Sequence, residues 1–293
     1  MATLRELKGR IGSVASSEKI TGAMKMISSA KMHKAEQALK QLRPFRDQIE
    51  SVIANLLSSD AIFSSPLMES RAVERLAIVV WGSDDGLCGA YNGNIFKVLL
   101  QNIATLRQQL GQGVGITLIP VGSKIAKAAL KLRLPGVDVK LPEGVDSKST
   151  DAAVRDFAWH LRDSFLNGEF DRIDMLYMSF KSVSRQNAEC GQLLPVTIEA
   201  FSQSASGSEI RPYIFEPSPE VIFRNILPMY LLAVVQDVFT ENRASEQAAR
   251  VMAMQSANDN AKKLHDQLQL EFNKLRQQAI TTELLDILGG QVR

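Results

Sequence analysis

A glycine-rich loop contains the residue types that could bind a phosphate group. Residues 82–89 (GSDDGLCG) follow an apolar run at residues 76–81 and precede a predicted helix. Backbone N–H groups between a strand and a helix N-terminus are common phosphate ligands. The loop lacks the Lys-Ser/Thr ending of a P-loop, however, and Asp84 and Asp85 would each repel an anion by on the order of a kcal/mol. We therefore interpret it as a structural turn or a protein-contact loop, with nucleotide binding as the alternative.

The other side chains that could do chemistry are scattered. His33, His160 and His265 fall on three separate predicted helices, and none has a second ligand at metal-binding spacing. Cys88 follows an apolar strand, where a lone cysteine is usually a small buried side chain. Glu283 has a second carboxylate three residues later, which we interpret as a solvated helix face. The sequence therefore predicts no catalytic residue, no cofactor and no metal site.

The composition is that of an ordinary soluble globular protein. Of the 293 residues, 45% are hydrophobic and 23% are charged, and the net charge is +2. This charge balance does not indicate a nucleic-acid partner. The longest apolar runs, residues 76–81 and 229–235, are much shorter than the ~20 residues of a membrane-spanning helix. Cys88 and Cys190 show no metal-binding or CxxC spacing, as expected in a reducing compartment.

A very long C-terminal helix must position part of this chemistry. Residues 229–288 contain neither glycine nor proline. At a rise of ~1.5 Å per residue, such a helix spans roughly 90 Å. Ser218 followed by Pro219 predicts its start, and Gly289 with Gly290 predicts its end. A helix of this length must lie against another element or project from the body, which favours a mechanical or scaffolding role.

The N-terminal segment, residues 3–58, carries a second helical pattern. Thr3 and Glu6 predict a capping box at its start, and Pro44 predicts a kink. In both segments, apolar residues at alternating spacings of three and four predict a seam against a partner helix. The predicted seam residues are Leu4, Leu7, Ile11, Val14, Ala35, Ala38, Leu42, Phe45, Ile49, Val52 and Leu56 in the N-terminal helix, and Ala257, Ala261, Leu264, Leu268, Phe272, Leu275 and Ala279 in the C-terminal helix.

These two helices lie at opposite ends of the chain, so they can pair only if the residues between them are looped out. The natural solution is an antiparallel coiled coil with a globular domain at its side. Two unrelated helices packed on one domain are the alternative. We predict three parts: residues 1–72 with the first helix and a linker, 73–205 as the central domain, and 206–293 with the last helix.

The central part alternates strands and helices, which predicts a compact α/β domain. Strands are predicted over residues 76–81, 115–121, 173–181 and 194–201, and helices over residues 94–110, 123–132 and 151–166.

The first helix is locally basic. Residues 1–50 hold ten Lys or Arg residues against five Asp or Glu residues. One interpretation is a solvated face, and the other is an electrostatic track for an acidic partner. Met24, Met26 and Met32 add flexible apolar contacts. Aromatic residues are only 6% of the chain, which disfavours binding to single-stranded nucleic acid.

Three sequence blocks carry a resemblance to a known family. They are residues 19–26 (KITGAMKM) with 29–32 (SAKM), residues 82–92 (GSDDGLCGAYN), and residues 244–254 (ASEQAARVMAM) continuing to 280–287 (ITTELLDI). On these blocks the chain resembles the gamma subunits of F-type ATP synthases over essentially its whole length. The resemblance implies an antiparallel coiled coil of the N- and C-terminal helices with a Rossmann-like α/β domain inserted between them.

The resemblance also implies a function. Members of this family form the central stalk of a rotary complex, in which proton flow turns a membrane ring of c subunits. The shaft then drives the beta subunits through their catalytic states inside a ring of three alpha and three beta subunits. One copy per complex, lying beside the epsilon subunit, would transmit torque and help to regulate ATPase activity and proton flow. It would hold no catalytic residue and no cofactor, at the cytoplasmic face of a bacterial inner membrane.

Residue roles follow from the same resemblance. Gly22 departs from the family, which usually has a basic residue there, and Asp85 stands where Arg or Lys is frequent. From the residues alone, an enzyme built on the α/β domain and an unrelated coiled-coil scaffold are the alternatives. The resemblance implies contacts with the alpha/beta ring for Met24, Lys25, Lys31, Asp85, Gln255, Ile280, Thr281, Glu283 and Leu284, and contacts with the c ring for Tyr213 and Glu216.

Overall fold

Two helices far longer than the rest frame the chain. The structure, a computed structural model, describes residues 3–57, 63–111, 113–198, 201 and 215–290. Helix α1 spans Leu4–Leu57, and the last helix, α5, spans Pro219–Gly290. The predicted capping box is present, because Thr3 N donates to Glu6 Oε2 at 2.9 Å and Glu6 N donates to Thr3 Oγ1 at 3.3 Å.

The start of α5 also agrees with the sequence. Ser218 Oγ accepts a hydrogen bond from Val221 N at 3.4 Å, which satisfies one of the free N–H groups at the helix start. Pro44 lies inside α1 and does not end it. At its other end, α5 includes both Gly289 and Gly290, and the residues after them lie outside the described range.

The two long helices pair in antiparallel orientation. Asn258 Nδ2 on α5 donates to Glu18 O on α1 at 2.7 Å. Further along α1, Arg46 Nη1 lies 2.5 Å from Asp237 Oδ2. The partner residue on α5 therefore moves backwards as α1 moves forwards. This confirms the predicted antiparallel coiled coil and excludes two unrelated helices.

The predicted seam of α1 is confirmed at most of its positions. Leu7 is buried, and the half-buried positions are Leu4, Ile11, Val14, Ala35, Ala38, Leu42 and Val52. Ile49 and Leu56 are buried as predicted. At two places the more deeply buried residue is the one after the predicted residue. Leu39 and Ile53 are buried, where the prediction had Ala38 and Val52. Phe45 is 50% exposed. A spacing of three followed by four and a spacing of four followed by three both join Ile49 to Leu56. The periodicity therefore could not decide whether Val52 or Ile53 lies deeper in the seam.

The seam of α5 shows the same ambiguity. Leu268 is buried and Ala261, Phe272 and Leu275 are half-buried, as predicted. Leu264, in contrast, is 45% exposed. Ala279 is exposed as well, because the pairing with α1 ends before this point.

The C-terminal part of α5 extends beyond the start of its partner. All side chains over residues 276–288 are exposed. At ~1.5 Å per residue this free tip is roughly 20 Å long. We call residues 276–290 the free tip of α5.

The described strands form one sheet in the order β3-β2-β1-β4-β5. The pairs β1–β2, β1–β4 and β2–β3 are parallel, and β4 and β5 form an antiparallel pair. The strands are β1 (Arg75–Trp81), β2 (Gly115–Val121), β3 (Val137–Val139), β4 (Arg172–Ser182) and β5 (Arg185–Leu194).

Two of these strands were not predicted. The predicted strand over residues 194–201 is wrong for its described residues, because β5 ends at Leu194 and residues 195–198 and 201 are not in a strand. β5 is an edge strand whose exposed and half-buried polar residues give little hydrophobic signal. β3 has only three residues, too few for a period to be visible.

Helices cover both faces of the sheet. Ala77, Val79 and Trp81 of β1 belong to a core shared with α1 and α5, whereas Leu76 and Ile78 belong to a second core on the opposite face. The side chains of β1 thus alternate between two apolar cores. The covering helices are α2 (Tyr91–Leu110), which starts three residues before its predicted start, α3 (Ser123–Ala129), which ends three residues before its predicted end, and α4 (Asp151–Leu166), whose bounds agree with the prediction.

One window of α5 is apolar enough to cross a membrane by length and composition. These 18 residues within Pro219–Leu288 have a mean hydropathy of 1.4, and 39% of them are buried. Phe223, Leu227 and Leu231 of α5 are buried in the core shared with β1 and α1. Packing in this core accounts for the apolar character of the helix.

The division of the chain at residues 72–73 and 205–206 stays a prediction. The first boundary falls between the short 3₁₀ helix Pro66–Met68 and β1. The second boundary lies outside the described residues.

An ion pair is built into the coiled coil near the sheet. Arg46 Nη1 is 2.5 Å from Asp237 Oδ2, and Arg46 Nε is 3.2 Å from Glu50 Oε1. Burial raises the pKa of Asp237 although Arg46 opposes the shift. Burial also works against the charge on Arg46, but the carboxylates of Asp237 and Glu50 outweigh it and raise the pKa of Arg46.

We expect Arg46→Ala to lower the free energy of unfolding by about 3 kcal/mol, because it leaves the Asp237 carboxylate buried without its nearest cation. Urea denaturation followed by circular dichroism measures this change. Lys40→Ala is the control, since Lys40 is 71% exposed in its pair with Glu36, and it should cost less than about 1 kcal/mol. Equal losses in the two variants would contradict a structural role for the buried pair.

Candidate functional site

The glycine-rich loop lies where doubly wound sheets bind their ligands. Residues 82–89 follow the carboxyl end of β1, and the strand order changes direction between β1 and β4. In open α/β sheets this switch point opens a crevice for nucleotides or other ligands. In this chain, side chains of α5 fill the crevice.

Asn242 makes the first contact of α5 with the loop. Its Nδ2 donates to Gly82 O at 3.0 Å, and its Oδ1 accepts from Tyr91 OH at 2.7 Å. Asn242 is only 1% exposed. Burial raises the pKa of Tyr91 well above its ordinary value, so the hydroxyl stays protonated and remains a donor to Asn242.

Arg250 makes the second contact, two helical turns further on. Its Nε donates to Gly86 O at 3.2 Å, and its Nη2 donates to Asp85 O at 3.3 Å and to Glu246 Oε1 at 2.7 Å. The side chains of Arg250 and Glu246 are 7% and 4% exposed. Burial raises the pKa of Glu246 against the opposing effect of Arg250. The loop therefore presents carbonyl oxygens to a cation here, whereas a phosphate-binding loop presents N–H groups to an anion.

The two loop aspartates are already bonded. Asp84 accepts hydrogen bonds from Ser123 N at 2.7 Å, from Ser147 N at 2.8 Å and from Ser147 Oγ at 2.7 Å. Burial works against the ionised form, but these bonds outweigh it and lower the pKa of Asp84. Asp85 Oδ1 lies 2.9 Å from Lys148 Nζ at the surface. Asp84 thus ties the loop to the start of α3 and to residue 147.

The glycines in and beside the loop serve close packing. A Cβ atom on Gly82 would lie 2.5 Å from Ile125 Cγ2. Gly122 has a φ of 111°, and a Cβ there would lie 3.0 Å from the backbone of Ser83. Both positions therefore exclude a side chain for reasons internal to the fold. These contacts support the interpretation of the loop as a structural turn.

The residues on α5 that fill the crevice were not predicted from the sequence. Asn242, Glu246 and Arg250 follow one another at intervals of four and so lie on one face of the helix. They belong to a stretch of α5 in which polar Thr240 and Ser245 are buried as well. Buried polar residues at helical spacing are the signal that could have identified this contact.

Some predicted ring-contact residues lie at one level of the coiled coil. A Cβ on Gly22 of α1 would lie 3.4 Å from Asn258 Nδ2, and the helices are antiparallel, so Lys25 and Gln255 lie at the same height. Met24, Lys25 and Gln255 are half-buried, and Lys31 and Asp85 are exposed. Gln255 Nε2 donates to both carboxylate oxygens of Asp259, at 2.9 and 2.8 Å.

The other predicted ring-contact residues lie far from this level. Ile280, Thr281, Glu283 and Leu284 are all exposed on the free tip, roughly 40 Å along α5 from Gln255. The structure therefore places the predicted contacts in two separate groups.

The predicted c-ring contacts lie at the other end of α5. Glu216 is exposed just before the helix begins, and Tyr213 lies outside the described residues.

A cavity of about 450 Å³ lies between α4 and the residues that follow β3. It is lined by His160 and by apolar residues that include Phe157 and Phe170. Lys140 at this cavity is paired with Glu169, with Nζ 2.5 Å from Oε1. Within the described part of the chain, no group of three or more His, Cys, Asp or Glu residues is placed to hold a metal ion.

Sequence comparison gives full-length relatives. The sequence model of a family described as ATP synthase matches residues 3–292. The ATP synthase gamma chain of Bacteroides fragilis is 39% identical over 297 residues, and that of Bacteroides thetaiotaomicron is 39% identical over 302 residues, with all of both chains covered in each case. The gamma chain of Cupriavidus pinatubonensis is 33% identical over 292 residues, covering 99% of each chain.

Solved structures share the fold. A chain of the mitochondrial ATP synthase of Euglena gracilis, in a structure of OSCP, F1 and c-ring, aligns with a TM-score of 0.64 at 21% identity, over 98% of this chain and 93% of that chain. A chain of the central stalk and c-ring structure from Tetrahymena thermophila aligns with a TM-score of 0.56 at 23% identity, over 81% of this chain and 99% of that chain.

We expect Asp84→Asn to lower the free energy of unfolding by about 1–2 kcal/mol at neutral pH. Asparagine has one acceptor oxygen, so it cannot accept from both Ser123 and Ser147, which bond to different oxygens of Asp84. Partial exposure of Asp84 moderates the loss. The pKa of Asp84 is held below its ordinary 3.8, so the native carboxylate stabilises the fold above that pH, and this stabilisation disappears as the pH falls through the folded-state pKa. The difference between native and variant protein should therefore shrink in acid.

Denaturant titrations at several pH values measure this difference. Asp85→Asn is the matched control, because Asp85 is 54% exposed in its pair with Lys148. A pH-independent effect of Asp84→Asn would contradict the assigned role of the carboxylate.

Proposed function

Because the chain belongs to the ATP synthase gamma chain family, we propose that it is the central rotor shaft of an F-type ATP synthase. It couples proton flow through a membrane ring of c subunits to ATP synthesis or hydrolysis in a ring of three alpha and three beta subunits. The observation that carries this proposal is the free tip of α5. This tip continues a two-helix shaft beyond its partner as a single exposed helix.

The shaft has the stiffness that the role requires. A single helix twists and bends more easily than two helices that interlock along their length. The antiparallel pair extends from the sheet, where Arg46 meets Asp237, to the start of α1 near Leu4. Torque applied near the sheet can therefore reach the far end of the pair.

The free tip suits a surface that slides inside a ring. It presents large apolar side chains between polar ones, and the Thr281 and Thr282 hydroxyls donate to carbonyls of their own helix at 2.9 and 3.0 Å. Apolar contacts are non-directional, so they can be broken and re-formed during rotation at low cost. Exposed large apolar residues of the tip are Ile280, Leu284, Leu285, Ile287 and Leu288.

The exposed face of α1 offers a second contact with the ring. Ile20, Met26 and Ile27 are 59%, 69% and 57% exposed. Lys31 is also exposed on this helix. Apolar contacts flanked by lysines suit acidic, mobile loops of the beta subunits, which attract the shaft and release it as it turns. Asp85 of the glycine-rich loop would contact the ring at the same height, with its charge offset by Lys148, whose Nζ lies 2.9 Å from Oδ1.

The opposite end of the molecule serves the membrane ring. Glu216, with Tyr213 in the same segment, would contact the c ring at the foot of the shaft. The epsilon subunit would lie beside the α/β domain. One copy of the chain works in each complex, at the cytoplasmic face of the bacterial inner membrane, and its contacts help to regulate ATPase activity and proton flow.

The proposed role is not catalytic. The crevice that would hold a nucleotide in an α/β enzyme is filled by Asn242 and Arg250 of α5, which bond to the loop backbone. We therefore assign ATP chemistry to other subunits and no cofactor to this chain.

Native mass spectrometry of complexes isolated through a tag on this chain tests the proposal. One copy of the chain with three copies each of two larger nucleotide-binding chains is the expected composition. A homo-oligomer, a free chain or a different set of partners would contradict the proposed rotor function.

We expect Lys25→Glu combined with Lys31→Glu to lower the rate of coupled ATP synthesis up to roughly tenfold, since reversal of two partly exposed charges changes the contact energy by about 1 kcal/mol or slightly more. Proton-driven ATP synthesis in membrane vesicles measures the effect. Lys97→Glu with Lys131→Glu is the matched control, because both lysines are exposed on the α/β domain. Unchanged synthesis in the first variant would reject the electrostatic contact.

A further inference from the structure

We propose that the α/β domain stiffens the shaft against twisting, and we call this role a torsional splint. The domain contacts α5 at a lower joint and, nearer the free tip, at an upper joint. Arg250 is the positioning residue through which the upper joint carries torque. The inference rests on the proposed rotor function and extends it. In this arrangement the domain is fastened to α5 at two heights. Twist in the helix between them must then deform the domain as well.

The lower joint is a large apolar contact. Phe223, Leu227 and Phe239 of α5 lie in one core with Val79 and Trp81 of β1. The ring centroids of Trp81 and Phe239 are 5.7 Å apart. Close packing of these side chains transmits strain between the sheet and α5, so the lower joint fixes one level of the helix against the domain.

The upper joint is polar, buried and directional. Asn242 bonds to Gly82 O and Tyr91 OH, and Arg250 bonds to the carbonyls of Asp85 and Gly86. The guanidinium is planar and its N–H groups are fixed in direction, so rotation of α5 about its axis lengthens these bonds. Arg250 lies roughly 17 Å along α5 from Phe239, the end of the lower joint, and roughly 40 Å from Phe223, its start.

The loop can transmit this load because it is anchored to the sheet. Gly82 N donates to Val121 O of β2 at 2.8 Å. Ser83 N donates to Asn92 Oδ1 of α2 at 3.2 Å, and Asp84 accepts from Ser123 N of α3 at 2.7 Å. A displacement of α5 at Arg250 is therefore passed to a strand and two helices of the domain.

A simpler role for Arg250 is to neutralise the buried carboxylate of Glu246. Arg250→Lys separates the two roles, because lysine keeps the positive charge beside Glu246 but cannot present the planar group that reaches both loop carbonyls. Arg243→Lys is the matched control, since Arg243 is exposed on the same helix and its guanidinium lies over Phe239, at 5.3 Å, away from the loop.

The first measurement is hydrogen exchange in the intact complex. Arg250→Lys should raise the exchange rates of the amides of residues 84–88 roughly tenfold, because loss of hydrogen bonds from a charged group increases local opening of the loop by about that factor. Arg243→Lys should leave them unchanged. Unchanged loop exchange in Arg250→Lys would overturn the joint.

The second measurement is the stiffness of the rotor. With the alpha/beta ring fixed to glass and a bead on the c ring, the angular fluctuations of the stalled rotor report its torsional stiffness. Arg250→Lys should give larger fluctuations than the native complex or Arg243→Lys. Equal fluctuations in all three would overturn the splint, whatever the exchange result.

A covalent substitute provides the rescue. Gly89 has a φ of 59°, which a cysteine adopts only with backbone strain, so the reduced double-cysteine complex is the reference for the oxidised one. A Cβ on Gly89 would lie 3.6 Å from Ala253 Cβ, close to the typical ~3.8 Å of a disulfide. In an Arg250→Lys complex whose chain carries Cys88→Ala and Cys190→Ser, we expect Gly89→Cys with Ala253→Cys to restore native stiffness after oxidation and to lose it on reduction. If oxidised and reduced forms fluctuate equally, the joint does not carry torque.

These outcomes separate the inference from the proposed function. If the native chain forms no complex whose rotor turns with ATP, the rotor function itself fails. If the native complex turns and the Arg250→Lys complex is as stiff as the native one, only the splint fails.

Discussion

The antiparallel pairing of α1 with α5 is the contact on which the rest of the structure depends. A helix of 72 residues cannot fold back into a small core, so its apolar stripe must be covered by another long element. α1 covers most of that stripe. Because the two ends of the chain supply both helices, the residues between them form the sheet at the side of the pair. Beyond the start of α1, the stripe of α5 stays uncovered, and this exposed tip is the surface left for a partner that surrounds it.

Charged residues decide how the two helices fit together. Arg46 lies on the covered face of α1 because Asp237 of α5 is there to receive it, while the apolar Phe45 beside it faces solvent. A buried ion pair adds little net stability against apolar residues of equal size, but it penalises any register that separates the charges. Such a penalty would keep α1 and α5 from sliding along each other when the shaft carries torque.

The α/β domain illustrates how a fold can be used without its usual site. Its sheet order and its glycine-rich loop resemble those of nucleotide-binding domains, yet Asn242 and Arg250 of α5 occupy the crevice. The fold therefore supplies a rigid domain with a polar crevice, and side chains of α5 from the same chain fill that crevice. Function here follows from what fills the site rather than from the architecture.

The sequence by itself determined the elements whose signals are local. Caps at Thr3 and Ser218, the absence of helix breakers over residues 229–288 and the apolar runs of β1 and β2 depend on neighbouring residues only, so both long helices and most of the sheet could be predicted. The seam register, the edge strand β5 and the role of Arg250 could not. The seam register and the role of Arg250 depend on residues more than a hundred positions apart, such as Arg46 with Asp237 and Gly86 with Arg250, and only the tertiary structure brings those groups within bonding distance. β5 is defined by its pairing with β4, because its own residues give little apolar signal.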